Sequence, residues 1–194
     1  MPQQAMAHNS QGYAATSLRQ VIAAAEVNVA AVHYHFGSKE ELLDELVGRK
    51  ATPVNVARLA ALDLLEAEAG GHHIAVERIL EAFLGPMAAM ADREPAFVKV
   101  MGRLFAEGLM APVVERHFQT VVVRTLAALR KSLPHLPEDE FLWRVHFMIG
   151  AMAHTMAGQP VMNMVDASTD FPTRVRRLVR FLGAAFRAAG ERET

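Results

Sequence analysis

The 194-residue chain contains no cysteine. Disulfides, thiolate metal sites and cysteine nucleophiles are therefore excluded. It also lacks charge of one sign: 20 basic side chains face 21 acidic ones, for a formal net charge of −1. Nucleic acid would have to be bound through a local patch, not through bulk attraction. No apolar run approaches the roughly 20 residues that cross a bilayer. The opening Met1 to Tyr13 has no basic start followed by an apolar stretch, so it does not read as a secretory leader. A cytoplasmic protein without membrane contact is expected. Catalytic signatures are missing as well: no glycine-rich phosphate loop, no G-x-S-x-G and no H-E-x-x-H. The nine histidines do not recur at metal-ligand spacing, and His72-His73 in its glycine loop reads as solvated. Neither enzyme activity, nor a metal, nor a cofactor is expected.

Alternating β-branched runs are nearly absent too. Val121-Val122-Val123 is the one candidate, and it lies inside a helical pattern of Val114, Phe118, Val121, Val122, Thr125, Leu126 and Leu129. What is present is a globular composition, 52% hydrophobic and 21% charged, in an all-α pattern. Breakers divide it into short helices over Ser17–Ala25 and Asn28–His35, then a long one from Ser38 towards Ala69 with Pro53 as a kink. Further helices are expected near Ile74–Ala91, Pro95–Leu109, Pro112–Ser132, Glu138–Ala157 and Phe171–Ala189. Glu138, Asp139 and Glu140 in a first turn complement the helix dipole.

The segment Thr16 to Leu43 carries the most information. Ser17-x-x-Gln20 and Ser38-x-x-Glu41 are capping boxes, and Asn28 is a good N-cap. Leu18, Val21, Ile22 and Ala25 form one apolar stripe, against which Val27, Val32 and Phe36 can pack. Two short helices joined by about three residues make a helix-turn-helix. The second exposes Val29, Ala31, His33 and Tyr34 on its free face.

Val27 to Phe36 followed by Gly37-Ser38-Lys39-Glu40-Glu41 closely resembles the DNA-binding signature of TetR-family transcriptional regulators. The resemblance implies a homodimer on double-stranded operator DNA, with the second helix in the major groove. By position it places Val29, Ala31 and His33 at base edges, and Ser17, Arg19, Tyr34, His35 and Lys39 on phosphates. The chemistry suits those roles: small apolar groups meet thymine methyls, an imidazole hydrogen-bonds a base edge, and hydroxyls and Lys39 donate to phosphate. Two departures stand out. Glu26 occupies the turn where the family has Gly, and Pro2 to Gln11 is little amphipathic where the family has a full first helix, so that helix is expected shortened or missing. Residues 1–50 hold Arg19, Lys39, Arg49 and Lys50 against Glu26, Glu40, Glu41, Asp44 and Glu45, an acidic balance for a DNA-binding head.

Residues 1–50 are thus read as the helix-turn-helix domain and 51–194 as a helical effector-binding and dimerisation domain. Phe141 to Met156 is apolar on more than one face, which marks a helix buried on several sides. Gly150, Ala151 and Ala153 let another helix come close. The last helix repeats Phe171, Val175, Leu178, Val179, Leu182 and Phe186, and its pairing with Phe141–Met156 is expected to form a four-helix dimer interface, as the resemblance implies. Phe141 to Gly158, Leu133 to Pro137 and Val100 to Phe105 further resemble the fatty-acid-responsive PsrA-type branch, which implies an acyl-chain effector such as a fatty acid or acyl-CoA. Nine of eleven methionines lie beyond residue 86, and Met lines adaptable cavities. Phe83, Met87, Met101, Arg103, Phe105, Phe118, Met148 and Met152 are the candidate effector-binding residues, with Phe97 beside them. Arg103, Arg144, His146 and His154 are the polar groups available to a carboxylate. The expected function is a one-component regulator, a repressor released by a small apolar effector. The alternative is a ligand- or partner-binding helical dimer whose head has lost operator binding.

Overall fold

The computed structural model describes residues 39–106, 108, 111–158, 165–166 and 168–190. Among these residues seven helices and no strand occur: α1 Lys39–Ala69, α2 Val76–Arg93, α3 Pro95–Ala106, α4 Ala111–His117, α5 Gln119–Ser132, α6 Glu138–Ala157 and α7 Phe171–Arg187. The all-α reading holds, and the three valines at 121–123 lie inside α5.

α1 is the longest element, 31 residues. It buries Val47, Ala51, Asn55, Arg58, Leu62 and Leu65, steps of three and four that keep one stripe facing the core. Pro53 sits inside this helix on the exposed side. Gly70 and Gly71, at φ +53° and +94°, end it in a conformation that side chains disfavour.

Two helix pairs make most of the core. α7 lays Val175, Leu178, Leu182 and Phe186 on α2, which answers with Ile79, Leu80, Phe83 and Leu84. α3 packs on α6 at Gly102, where an added Cβ would meet Ala153 O and Met156 Cβ at 2.7 Å. Arg144 of α6 closes the end of α7, donating to the carbonyls of Ala185, Phe186, Ala188 and Ala189 while pairing with Glu140 at 2.6 Å. Those carbonyls are the ones a helix end leaves without backbone partners.

Several expectations need correction. The single helix over 112–132 is two, α4 and α5, separated at Phe118 (φ −120°, ψ −7°). The third helix stops at Ala106, short of Leu109. The α7 stripe expected at a dimer interface is buried within the chain against α2, because one molecule already supplies its complement. Within this chain Gly150 is exposed with nothing near its missing Cβ, and the close helix approach falls at Ala153 opposite Gly102.

Candidate functional site

α1 to α6 line an apolar cavity of about 180 Å³. α2 contributes Phe83 and Met87, α3 Met101 and Phe105, and α6 Met148 and Met152; Phe118, at the α4–α5 break, completes that set. Seven of the eight residues proposed from sequence for an effector therefore line one space. Phe97 lies on the same wall. Unbranched methionines suit such a wall because their thioethers adapt to an irregular occupant.

Arg103 is not among them. It is exposed, two residues from Met101, and two residues turn a helix by about 200°. The other polar candidates also lie elsewhere. Arg144 is engaged at the end of α7. His146 is exposed and meets Trp143 and Phe147 edge-on, with ring centroids 5.6 and 6.0 Å away. His154 is exposed beside Thr155 and Phe181, outside the cavity.

The polar groups that do reach the cavity come from α1 and α5. Arg58 and Thr125 line it, with 7% and 5% of their surfaces exposed. Arg58 Nε donates to the Phe83 carbonyl at 2.7 Å, and Nη1 donates to Asn55 Oδ1 at 3.2 Å. Its guanidinium carbon stands 4.4 Å from the centre of the Phe83 ring, a cation–π stack. Pro86 lies in the same helix and removes the backbone donor to the Ala82 carbonyl, next to Phe83. Burial alone pulls the guanidinium down to about 10, so it stays charged at neutral pH. A sequence signal for Arg58 existed: it stands on the periodic stripe Val47, Ala51, Asn55, Leu62, where a charged residue is out of place.

From Arg58 a polar chain runs towards the start of α1. Asn55 Nδ2 donates to the His117 carbonyl at 2.8 Å, and His117 Nε2 lies 2.9 Å from Asp44 Oδ1. Arg116 reaches the other oxygen of Asp44 at 2.5 Å. Separate ion pairs fix the body of α1: Lys50 with Glu94, and Arg124 with Asp63 and Glu66, each at 2.6 Å.

Of the proposed DNA contacts, Lys39 is the first residue of α1. Ser17, Arg19, Val29, Ala31, His33, Tyr34 and His35 lie outside the described residues, as do both short helices and the shortened first helix expected before them. No helix among the described residues is long and apolar enough to cross a membrane.

Two family models match the chain. One, described as bacterial regulatory proteins of the tetR family, covers residues 5–46. The other, described as a tetracyclin repressor-like C-terminal domain, covers residues 81–185. No curated protein matches the chain. The first match ends inside α1, seven residues before that helix delivers Pro53 and twelve before Arg58.

Proposed function

Because the chain belongs to the TetR family and is a helix-turn-helix DNA-binding transcriptional regulator, we propose that it works as a cytoplasmic homodimeric repressor that a small apolar effector releases from operator DNA. The observation that carries this reading is the continuity of α1. One unbroken helix holds Asp44 within the head match and Ala51, Val54 and Arg58 on the cavity wall. An occupant that moves the wall displaces the same rod on which the head is mounted. Allosteric release needs no more than this, provided the effector binds the two arrangements unequally. The boundary at residue 50 then divides roles along one helix, with the head before it and the effector and dimerisation body after it. The PsrA-type resemblance supports an acyl chain as the occupant, and the apolar wall supports it independently.

The exposed face of α6 and α7 supports dimerisation. Trp143 and Phe147 stack with centroids 5.7 Å apart while 57% and 63% exposed, and Phe181 of α7 is 65% exposed. Large exposed apolar groups gathered on one face mark an association surface. A self-complementary pairing there would carry two heads, as successive major grooves about 34 Å apart require.

The test is a mobility shift with DNA flanking the protein's own gene at fixed salt, with and without an acyl-chain compound. Specific binding that the compound weakens is the expected result. His33→Ala should relax base preference, whereas Lys39→Ala should weaken all sequences alike and flatten the salt dependence. Absence of any specific shift would favour the partner-binding alternative, for which Glu26 and the acidic balance of residues 1–50 speak.

A further inference from the structure

Arg58 is buried beside an apolar cavity, yet among the described residues no carboxylate lies within 4 Å of it. A buried cation is normally paired. Nε and one Nη1 hydrogen serve Phe83 and Asn55, and both of those acceptors are neutral. Nη2 has no hydrogen-bond partner among the described residues. No buried side-chain nitrogen or oxygen among the described residues is left unsatisfied, so the Nη2 edge is not sealed in protein, and Arg58 lines the cavity. Thr125 also lines the wall, and its hydroxyl has no hydrogen-bond partner among the described residues. The remaining wall, built of Met, Phe, Val, Leu, Ile and Ala side chains, offers no charge to balance the guanidinium.

We propose that the occupant is an amphiphilic anion whose free carboxylate sits on the Nη2 edge of Arg58, with its apolar body among the methionines and phenylalanines. The proposal rests on the effector reading above and narrows it to the free acid, not an ester, amide or thioester of the same chain. A carboxylate supplies the missing counter-charge and accepts from the open guanidinium edge, with a hydroxyl donor on the same wall, whereas a neutral head leaves the cation unbalanced. The body must be apolar because Arg58 and Thr125 are the polar side chains of the wall. An apolar protein cavity of about 150 Å³ admits benzene, so this one, at about 180 Å³, admits a body at least that large. Ligand charge then enters on α1 itself, at a residue that also grips α2 through the Phe83 carbonyl.

The experiment uses the full chain and the neutral dye Nile red as a reporter of the apolar cavity. Octanoic acid, octanamide and octanol, which share one chain length, compete for it at pH 7.5. The acid should displace the dye at a concentration at least tenfold lower than either neutral compound. Arg58→Met should bring all three within about twofold of one another while still binding the dye, and Arg58→Lys should keep part of the preference. The comparison of acid with amide in the unaltered chain needs no variant, so it decides even if Arg58→Met fails to fold. Equal displacement by the three compounds would overturn the carboxylate proposal and leave the apolar-effector reading standing. An acid preference that survives in folded Arg58→Met would place the anion elsewhere and overturn it too. Dye binding that none of the three reverses would count against both readings.

Discussion

His117 Nε2 lies 2.9 Å from Asp44 Oδ1, and this contact ties the end of the short α4 to the first turns of α1. An ionised carboxylate only accepts, so Nε2 carries the proton. Gly48 makes the approach possible: a Cβ there would meet the His117 ring at 2.8 Å. The helix that bears the head segment is thereby held against the body within two turns of Ala51, the first residue of α1 on the cavity wall.

The first prediction concerns acid. Partial burial raises the Asp44 carboxyl, but hydrogen bonds and charge from Arg116 and His117 outweigh it and hold the group below the ordinary 3.8. A carboxylate lowered by folding contributes stability above its unfolded pKa, and that contribution fades as pH falls through the lowered value. The α1–α4 link should therefore persist at neutral pH and weaken below about pH 4. Asp44→Asn should lower the thermal midpoint at pH 7 and lose less than the parent between about pH 5 and 2. Melting curves of the two proteins that run parallel across that range would refute the assignment.

Gly102 gives a packing prediction. Its missing Cβ is what lets α3 rest on the backbone of α6, with Ala153 O and Met156 Cβ at 2.7 Å and the Ala157 nitrogen closer still. Backbone atoms cannot step aside as a side-chain tip can. Gly102→Ala should cost about 1–3 kcal/mol and lower the midpoint by about 2–4 °C per kcal/mol. A midpoint within a degree of the parent would mean that α3 and α6 separate freely. Gly150→Ala, with open space at its Cβ, is the control expected to change little in a single chain.

The exposed aromatic face gives a third. Phe181→Ala removes a 65% exposed ring without touching the core, so the fold of each chain should survive. An aromatic anchor in an interface is worth about 2 kcal/mol or more, which corresponds to a dimer roughly 30-fold weaker. Sedimentation should show the midpoint of association moving to higher protein concentration. Trp143, the sole tryptophan, is exposed on α6 and stacks on Phe147. Its emission should shift to the blue as parent protein is concentrated, and do so later in Phe181→Ala. Emission independent of concentration, with a monomer at every concentration, would remove this face as the interface.

Much of this arrangement was legible in the chain. The acidic first turn of α6 and the loop at Leu133–Pro137 set its start, and the methionine and phenylalanine set converged because helical periodicity puts apolar residues on a common side. What escaped did so for local reasons. Phe118 breaks α4 from α5 without Gly or Pro, since tertiary packing overrides a propensity that would continue the helix. Arg103 stands in apolar sequence, but the helix turns it to water. Arg58 sits in a long polar-looking helix that hides it, although its place on the Val47–Leu62 stripe marks it. The α7 stripe was readable as buried, but a periodic stripe does not say whether its complement lies in the same chain.

The last prediction separates binding from transmission at Asn55. This side chain accepts from Arg58 through Oδ1 and donates to the His117 carbonyl through Nδ2. It therefore joins the cavity cation to the residue that holds Asp44. Asn55→Ala keeps the Phe83 contact of Arg58 and leaves the apolar wall intact, so ligand affinity should change by no more than about threefold, within a single net hydrogen bond. The effect of ligand on DNA affinity should fall further, by about 0.5–2 kcal/mol of coupling, or roughly two- to thirtyfold. Measuring DNA affinity with and without saturating octanoic acid, for parent and variant, gives that coupling directly. A Asn55→Ala/Asp44→Asn double variant should lose little beyond the first, because both cut one chain. Losses that simply add would mean that Asp44 and Asn55 stabilise α1 separately, and that displacement of the whole rod, not this polar chain, carries the signal.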